Sequence, residues 1–362
     1  MASEKVRDSV EAATMDIGTS SSQLVLERQK ASHLTQYIAA LSATIGAFSF
    51  GCALGYSSPA GPMLMANATE DGDISLSEDE NSWFVSTINI GALVGGPLGG
   101  ILISVLGRRA TMMFSVVFFV GAWLLTIFAQ NFAMLISSRI IVGLSTGITC
   151  ISVPTYIGEL ASIDIRGTLG SAFQLMVVIG IEYAYVFGAF IETWQILAVV
   201  CAVPTVIYLV CMIFAKESPV FLLSKGKQKE AKESLQYFRG KNYDIQKELD
   251  EIQLGLDEAK KNKTSPKSLF TSYLFKPLSI SLALMFFQQF SGVNAVLLNL
   301  TSIFQDAGAS LSDDVSVILV GLVQVLATVV AGALIDRAGR KILLIISSSL
   351  MAVSLGKDTH TN

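Results

Sequence analysis

The chain has 362 residues, 52% of them hydrophobic and only 15% charged, with a formal net charge of −4 and a mean hydropathy of +0.57. A surface that faces water carries about 25% charged residues, so this chain is surrounded by lipid, which excludes a cytosolic enzyme and a disulfide scaffold. An acidic balance with no basic face excludes a nucleic-acid binder. Cys52, Cys150, Cys201 and Cys211 all lie in apolar runs. They read as small buried hydrophobes at no metal-ligand spacing, and neither a metal nor a cofactor is expected.

A helix that crosses the hydrocarbon needs about 20 mostly apolar residues. Such runs occur at Tyr37–Gly55, Trp83–Leu106, Ala110–Ala129, Phe132–Tyr156, Leu169–Phe190, Trp194–Ala215, Leu278–Phe304 and Val315–Ile335. A ninth starts at Ile342 and reaches only Leu355, about 21 Å of helix against about 30 Å of hydrocarbon. An all-α membrane protein with eight spans and a partial ninth is expected. The parts are a tail over 1–33, a six-helix bundle over 34–215, an insert over 216–276, a partial second bundle over 277–355 and a polar tail over 356–362.

Positive charge sets the orientation. Lys5, Arg7, Arg28 and Lys30 precede the first span, Arg108 and Arg109 link the second to the third, and Arg166 links the fourth to the fifth. Thirteen Lys or Arg lie between Lys216 and Lys276, whereas the alternate connections hold none. The N-terminus is therefore expected in the cytoplasm of a multi-pass plasma-membrane protein. Asn67-Ala68-Thr69 then falls outside and is a glycan acceptor. Within the insert, Ile245, Leu249, Ile252, Leu256 and Ala259 recur at helical spacing, as do Ala231, Leu235 and Phe238. These are amphipathic helices suited to lie against the cytoplasmic mouth.

An internal echo supports a two-fold plan. Leu106-Gly107-Arg108-Arg109 follows the second span, and Asp336 with Ala338-Gly339-Arg340-Lys341 follows the eighth. Repeats of this kind suit a carrier built of two bundles that rock about a central site.

Six motifs stand in register with this topology: Gly107-Arg108-Arg109; Arg139 to Gly143; Pro154 through Glu159 with Arg166-Gly167; Glu217-Ser218-Pro219; Gln288-Gln289 through Asn294; and Asp336 through Lys341. On these the chain, from about His33 to Ile346, resembles the sugar-porter branch of the major facilitator superfamily, and within it the insect facilitated trehalose transporters. The resemblance implies the major facilitator fold and facilitated sugar transport by alternating access.

Topology puts Arg108, Arg109, Glu159, Arg166, Glu217, Asp336 and Arg340 at cytoplasmic helix ends. Carboxylates and guanidiniums there can pair across the two bundles while the cytoplasmic mouth is shut. The resemblance assigns them this gating role. It also implies an acid three residues before Gly107, where this chain has Ser104, so the N-terminal copy of the gate is expected to be the weaker one.

A sugar offers hydroxyls and no net charge, and side-chain amides both donate and accept. Gln174, Gln288, Gln289, Asn294 and Gln324 lie inside otherwise apolar spans, where a polar group faces a partner or a water-filled cavity. Contacts between helices are the competing role. By resemblance these five are substrate-binding. The aromatic pair implied after Asn294 is replaced by Leu298 and Asn299, and Ser57 follows Gly55-Tyr56 where proton-driven relatives carry an acid. A facilitator is the simpler expectation. Glu182, in the middle of the fifth span, fits either a helix-packing contact or a pore-facing acid. Arg139 reads as a structural charge capped within the first bundle.

The family has twelve spans, so a chain that enters a polar tail at Gly356 is expected to be an alternative isoform or an incomplete gene model. Alone it is expected not to transport; the alternative function is a regulatory or assembly partner of a full-length carrier. No enzyme is expected, since His33 and His360 both lie outside spans and no nucleophile stands beside a base.

The orientation is checked by cysteine-accessibility labelling. Cysteines introduced between Lys216 and Lys276 should react only after an impermeant reagent is admitted to the cytoplasm, and labelling from outside would reverse the whole topology.

Overall fold

The computed structural model describes residues 32–66, 74–261, 272–307 and 312–358, and among them no strand occurs. A lipid-embedded backbone must satisfy its own hydrogen bonds, and helices do so within one segment. The first half consists of α1 (Leu34–Gly55), α2 (Ser57–Ala66), α3 (Glu78–Val105), α4 (Arg108–Ile127), α5 (Phe132–Leu160), α6 (Arg166–Phe190) and α7 (Trp194–Phe214). A short helical group follows: α8 (Pro219–Ser224), α9 (Gln228–Arg239) and α10 (Gln246–Lys261). The rest is α11 (Ser272–Phe290), α12 (Val293–Leu298), α13 (Leu300–Ala307), α14 (Asp313–Ala338) and α15 (Arg340–Asp358).

Helix starts follow local chemistry. Ser77 caps α3: its Oγ accepts from the Glu80 amide at 3.3 Å, and its own amide donates to Glu80 Oε2 at 3.0 Å. Glu78, Asp79 and Glu80 lie in the first turn, where the helix dipole favours negative charge. Asn131 Oδ1 accepts from the Met134 amide at 3.0 Å and starts α5.

Seven helical segments among the described residues are long and apolar enough to cross a membrane, against eight expected in full. The first six lie where the sequence places them. The first is longer than expected, because α1 and α2 join into 33 residues from Leu34 to Ala66 and absorb Pro59, which was expected in a connection. The difference in number comes from Leu278–Phe304. That run is broken into α11, α12 and α13: Gly292 at φ 75° cannot continue a right-handed helix, and Asn299 at φ −119° separates α12 from α13. The expected partial ninth span is part of α15, a helix of 19 residues whose apolar stretch is Lys341–Ala352.

Glycines let the helices of the first half approach closely. A Cβ at Gly91 would lie 2.1 Å from the Ile140 carbonyl oxygen, and one at Gly143 would lie 2.1 Å from that of Ile88. The packing of α3 on α5 therefore has no room for any other residue at either site. The packing of α1 on α6 has the same form: Gly51 would meet the Val177 carbonyl oxygen at 2.0 Å, and Gly180 that of Phe48 at 2.2 Å. Without an aqueous hydrophobic effect between helices, such close backbone packing is what holds them together.

Around these contacts lies a core that includes Tyr56, Phe84, Trp123 and Trp194, with the Tyr56 hydroxyl donating to the Trp194 carbonyl at 3.1 Å. Arg139 is 1% exposed. Its guanidinium donates to the Ala53 carbonyl at 3.2 and 3.3 Å and to Ser57 Oγ, and lies 5.1 Å over the Phe84 ring. It is the structural charge the sequence suggests.

The insert folds on its own apolar seam of Leu222, Leu223, Ala231, Leu235, Ile245 and Leu249. Phe238 leaves that seam and packs with Ala39, Tyr156 and Leu160 of the first half. Arg239, 3% exposed, joins the two parts: it donates to the Leu160 carbonyl at 2.7 Å and to Glu248 Oε2 at 2.9 Å. By contrast, α11 and α14 present Leu282, Phe287, Phe290, Val323 and Leu326 outward, as a surface facing lipid does.

Gly91→Ala is expected to lower stability by about 1–3 kcal/mol through overpacking. Gly96→Ala, where a Cβ meets nothing within 4 Å, should leave the melting temperature of the purified protein unchanged. Equal behaviour of the two variants would contradict the close α3–α5 contact.

Candidate functional site

At the start of α4 the chain turns sharply at Gly107, whose φ is 99°. A Cβ there would lie 2.5 Å from Glu217 Oε2 and 2.7 Å from the Phe221 ring, so both backbone and space require glycine. The first amides of a helix have no partner within it, and its dipole favours an anion. Glu217 supplies one. Its Oε1 accepts from the Arg108 and Arg109 amides at 3.0 and 3.1 Å, and its Oε2 accepts from Arg109 at 3.1 Å.

The side chains extend the network. Arg108 Nη2 donates to Glu159 Oε1 at 2.6 Å at the end of α5, and its guanidinium lies 5.3 Å over the Phe221 ring. The Ser218 hydroxyl donates to the other oxygen of Glu159. Arg109 turns to α7 and donates to the Met212 and Ile213 carbonyls at 3.0 and 2.7 Å, satisfying helix-end acceptors. One carboxylate thus caps α4 while two arginines tie α5 and α7 to it.

The structure brings together Arg108, Arg109, Glu159 and Glu217. Arg166 stands apart and donates to the Ala161 carbonyl at 3.3 Å. Asp336 lies near the end of α14 and Arg340 opens α15, with side chains outside the described residues. The expected pairing across two bundles is therefore not what joins these groups. Packing of α7 on α4 carries Glu217, three residues past α7, to the start of α4, and the pairs close within the first half. Ser218 lies in the Glu217-Ser218-Pro219 motif but was given no role, and Phe221 was not singled out at all.

Of the amides, Gln289 and Asn294 meet across the break after α11, with Asn294 Nδ2 donating to Gln289 Oε1 at 2.9 Å. Gln174 and Gln288 are exposed, and among the described residues no side-chain hydrogen bond is recorded for either. Gln324 is half-buried on α14, and its Oε1 is buried without a donor.

Two contacts fix how α14 lies on α6. A Cβ at Gly321 would strike Glu182 Oε2, and one at Gly332 would lie 3.9 Å from Ser171 Cβ. The helices are antiparallel, and the shared register sets Gln324 level with Ile179, between Glu182 and Gln174. Near the end remote from the arginines, Ser58 Oγ and Thr301 Oγ1 are 2.8 Å apart, and the Tyr185 hydroxyl donates to the Leu297 carbonyl at 2.7 Å. The broken α12–α13 segment thereby docks on α2 and α6. Leu298 is buried in the first half's core, and Asn299 donates to the Ala295 carbonyl at 3.0 Å. Asn67 lies outside the described residues.

Helices long enough to span, glycine-packed and tied at one end by a charged network, define a multi-pass membrane protein of the major facilitator fold. The solved structure of the proton:xylose symporter XylE bound to 6-bromo-6-deoxy-D-glucose has a similar fold, with a TM-score of 0.73 and 27% identity over 85% of this chain and 70% of that one. XylE from E. coli in a partially occluded inward-open conformation gives 0.69 over 86% and 75%, at 24% identity. The chain belongs to the sugar transporter family: residues 39–356 match the model described as "Sugar (and other) transporter". It is 38% identical over 332 residues to the facilitated trehalose transporter Tret1 of Apis mellifera ligustica, covering 91% of this chain and 66% of that protein. The Drosophila virilis Tret1 is likewise 38% identical, over 89% of this chain and 35% of its own length. The chain thus spans from about a third to about two thirds of these relatives.

Removing the cap has a measurable cost. Glu217→Ala leaves the Arg108 and Arg109 amides without their acceptor and should destabilise the protein by about 1–3 kcal/mol. Thermal unfolding in detergent checks this, and a melting temperature equal to wild type would show that the cap is dispensable.

Proposed function

We propose that this protein carries a sugar across the plasma membrane by alternating access, as a facilitator that moves the sugar down its own gradient. The observation that carries the reading is the match of residues 39–356 to the sugar transporter family. Uncharged amides on α6, α11, α12 and α14 support it, since they suit a neutral, hydroxyl-rich solute. Trehalose is the first candidate, because the relatives bearing that name are 38% identical, and a hexose is the second. Membership of a family of carriers favours transport over catalysis and over the role of a non-transporting partner, and so reverses the expectation that the chain alone does not transport.

In this reading Gln174, Gln288, Gln289, Asn294 and Gln324 hold the sugar. The network of Arg108, Arg109, Glu159 and Glu217 makes the first six spans, 34–215, move as one body. Arg166, Asp336 and Arg340 complete the cytoplasmic gate, and residues 277–355 belong to the opposing bundle. The N-terminus and the insert over 216–276 face the cytoplasm, as the one-sided positive charge requires.

The test is uptake of labelled trehalose and glucose by the 362-residue chain in oocytes. Saturable uptake of one of them is expected, with KM raised about ten- to a hundredfold in Gln289→Ala, the loss of a hydrogen bond worth about 1–3 kcal/mol. No saturable uptake of either sugar, with the protein at the cell surface, overturns the proposal. Unchanged kinetics in the variant would return Gln289 to a purely structural role.

A further inference from the structure

Glu182 is a side chain whose chemistry the sugar reading does not use. It lies in the middle of α6, is 8% exposed, and both its oxygens are buried with no hydrogen-bond partner among the described residues. Its neighbours are apolar: Ile181, Tyr185 and Val317 form one cluster, and Gly321 of α14 faces it. A Cβ at Gly321 would overlap Glu182 Oε2 where that side chain now lies.

Among the described residues no cation stands opposite to neutralise it, and Asp306 on α13 and Asp313 and Asp314 at the start of α14 are acids. On α14 the stretch from Val315 to Ile335 has no ionisable side chain, and α2 has none. Tyr185, on α6 itself, is the ionisable group beside Glu182, and its hydroxyl is committed to the Leu297 carbonyl. Tyr37 and Cys52 on α1, and Cys201, Tyr208 and Cys211 on α7, carry no positive charge. On α5, Arg139 is committed to Ala53 and Ser57, and Arg108 holds Glu159 at the basic end. An isolated buried carboxylate in a low-dielectric seam costs far more than a neutral acid. One turn along α14 the orphaned acceptor of Gln324 lacks a donor of the kind that a carboxylic acid supplies.

We propose that Glu182 is a proton-binding site, occupied while α6 and α14 are packed together and vacated when they part. The step is a protonation: an O–H bond forms on the carboxylate as the seam closes, removing its charge, and breaks to release the proton to water when the seam is hydrated. Because the packed form holds a proton that the open form gives up, packing strengthens at low pH and weakens as pH rises. The site is independent of which solute moves and adds pH sensitivity to a carrier that has Ser57 after Gly55-Tyr56.

The register supplies the probe. Ser171 and Gly332 lie at a Cβ separation of 3.9 Å, within the range of about 3.5–4.5 Å that a disulfide needs. In the full chain carrying Ser171→Cys and Gly332→Cys, the rate of oxidative cross-linking is measured against pH. It is divided by the rate in the same protein with Glu182→Gln, which cancels the pH dependence of thiol chemistry. The ratio should fall at least about tenfold from about pH 5 to about pH 9. A carboxylic-acid carbonyl band in the infrared spectrum should fade over the same range and be missing from the variant. If Glu182→Gln does not fold, Glu182→Leu serves as the reference in both measurements. A flat ratio, no titrating band, or cross-linking that follows sodium rather than pH overturns the proposal. No sugar enters either readout, so a failure of uptake and a failure of this site are told apart.

Discussion

Inside hydrocarbon an amide or carbonyl has no water to turn to, and the consequences of that constraint run through the whole molecule. It dictates helices, and it makes each helix end a place where charge is concentrated. Glu217 shows how one end is handled: a single carboxylate satisfies the opening amides of α4 while the neighbouring arginines satisfy α5 and α7. The charges that stand at membrane-protein ends as a matter of topology are here also the fastenings between helices.

Much of this was legible in the sequence. Long apolar runs gave the first six spans and α14, and the thirteen basic residues of the insert marked it as a separate unit. Helical spacing of Ala231, Leu235, Ile245 and Leu249 foretold amphipathic helices, but not that their apolar faces meet one another. The break inside Leu278–Phe304 was less visible, because hydropathy averages over a window and does not register one glycine at φ 75°. The charged motif was visible as residue types but not as partners. Spacing cannot say that Glu217 reaches back to α4, since that depends on which helix α7 packs against. Of the five amides, only Gln289 and Asn294 are joined directly. The positions of Gln324 and Glu182 along one seam needed the register of two helices distant in the chain.

Buried polar groups fall into two kinds here. Arg139 is held by a carbonyl, a hydroxyl and aromatic faces and behaves as part of the core. Glu182 and Gln324 lack such partners, and both lie where the first half meets α14.

The glycine contacts carry a further meaning. Gly91 and Gly143 each sit three residues after the one whose carbonyl the other approaches, and Gly51 and Gly180 repeat the pattern. The second span meets the fourth as the first meets the fifth. Exchanging the first three spans with the next three turns one contact into the other, so the first half has an approximate two-fold axis of its own. A single three-helix unit, used twice, is enough to describe it, and neither copy can bury its glycine face without the other.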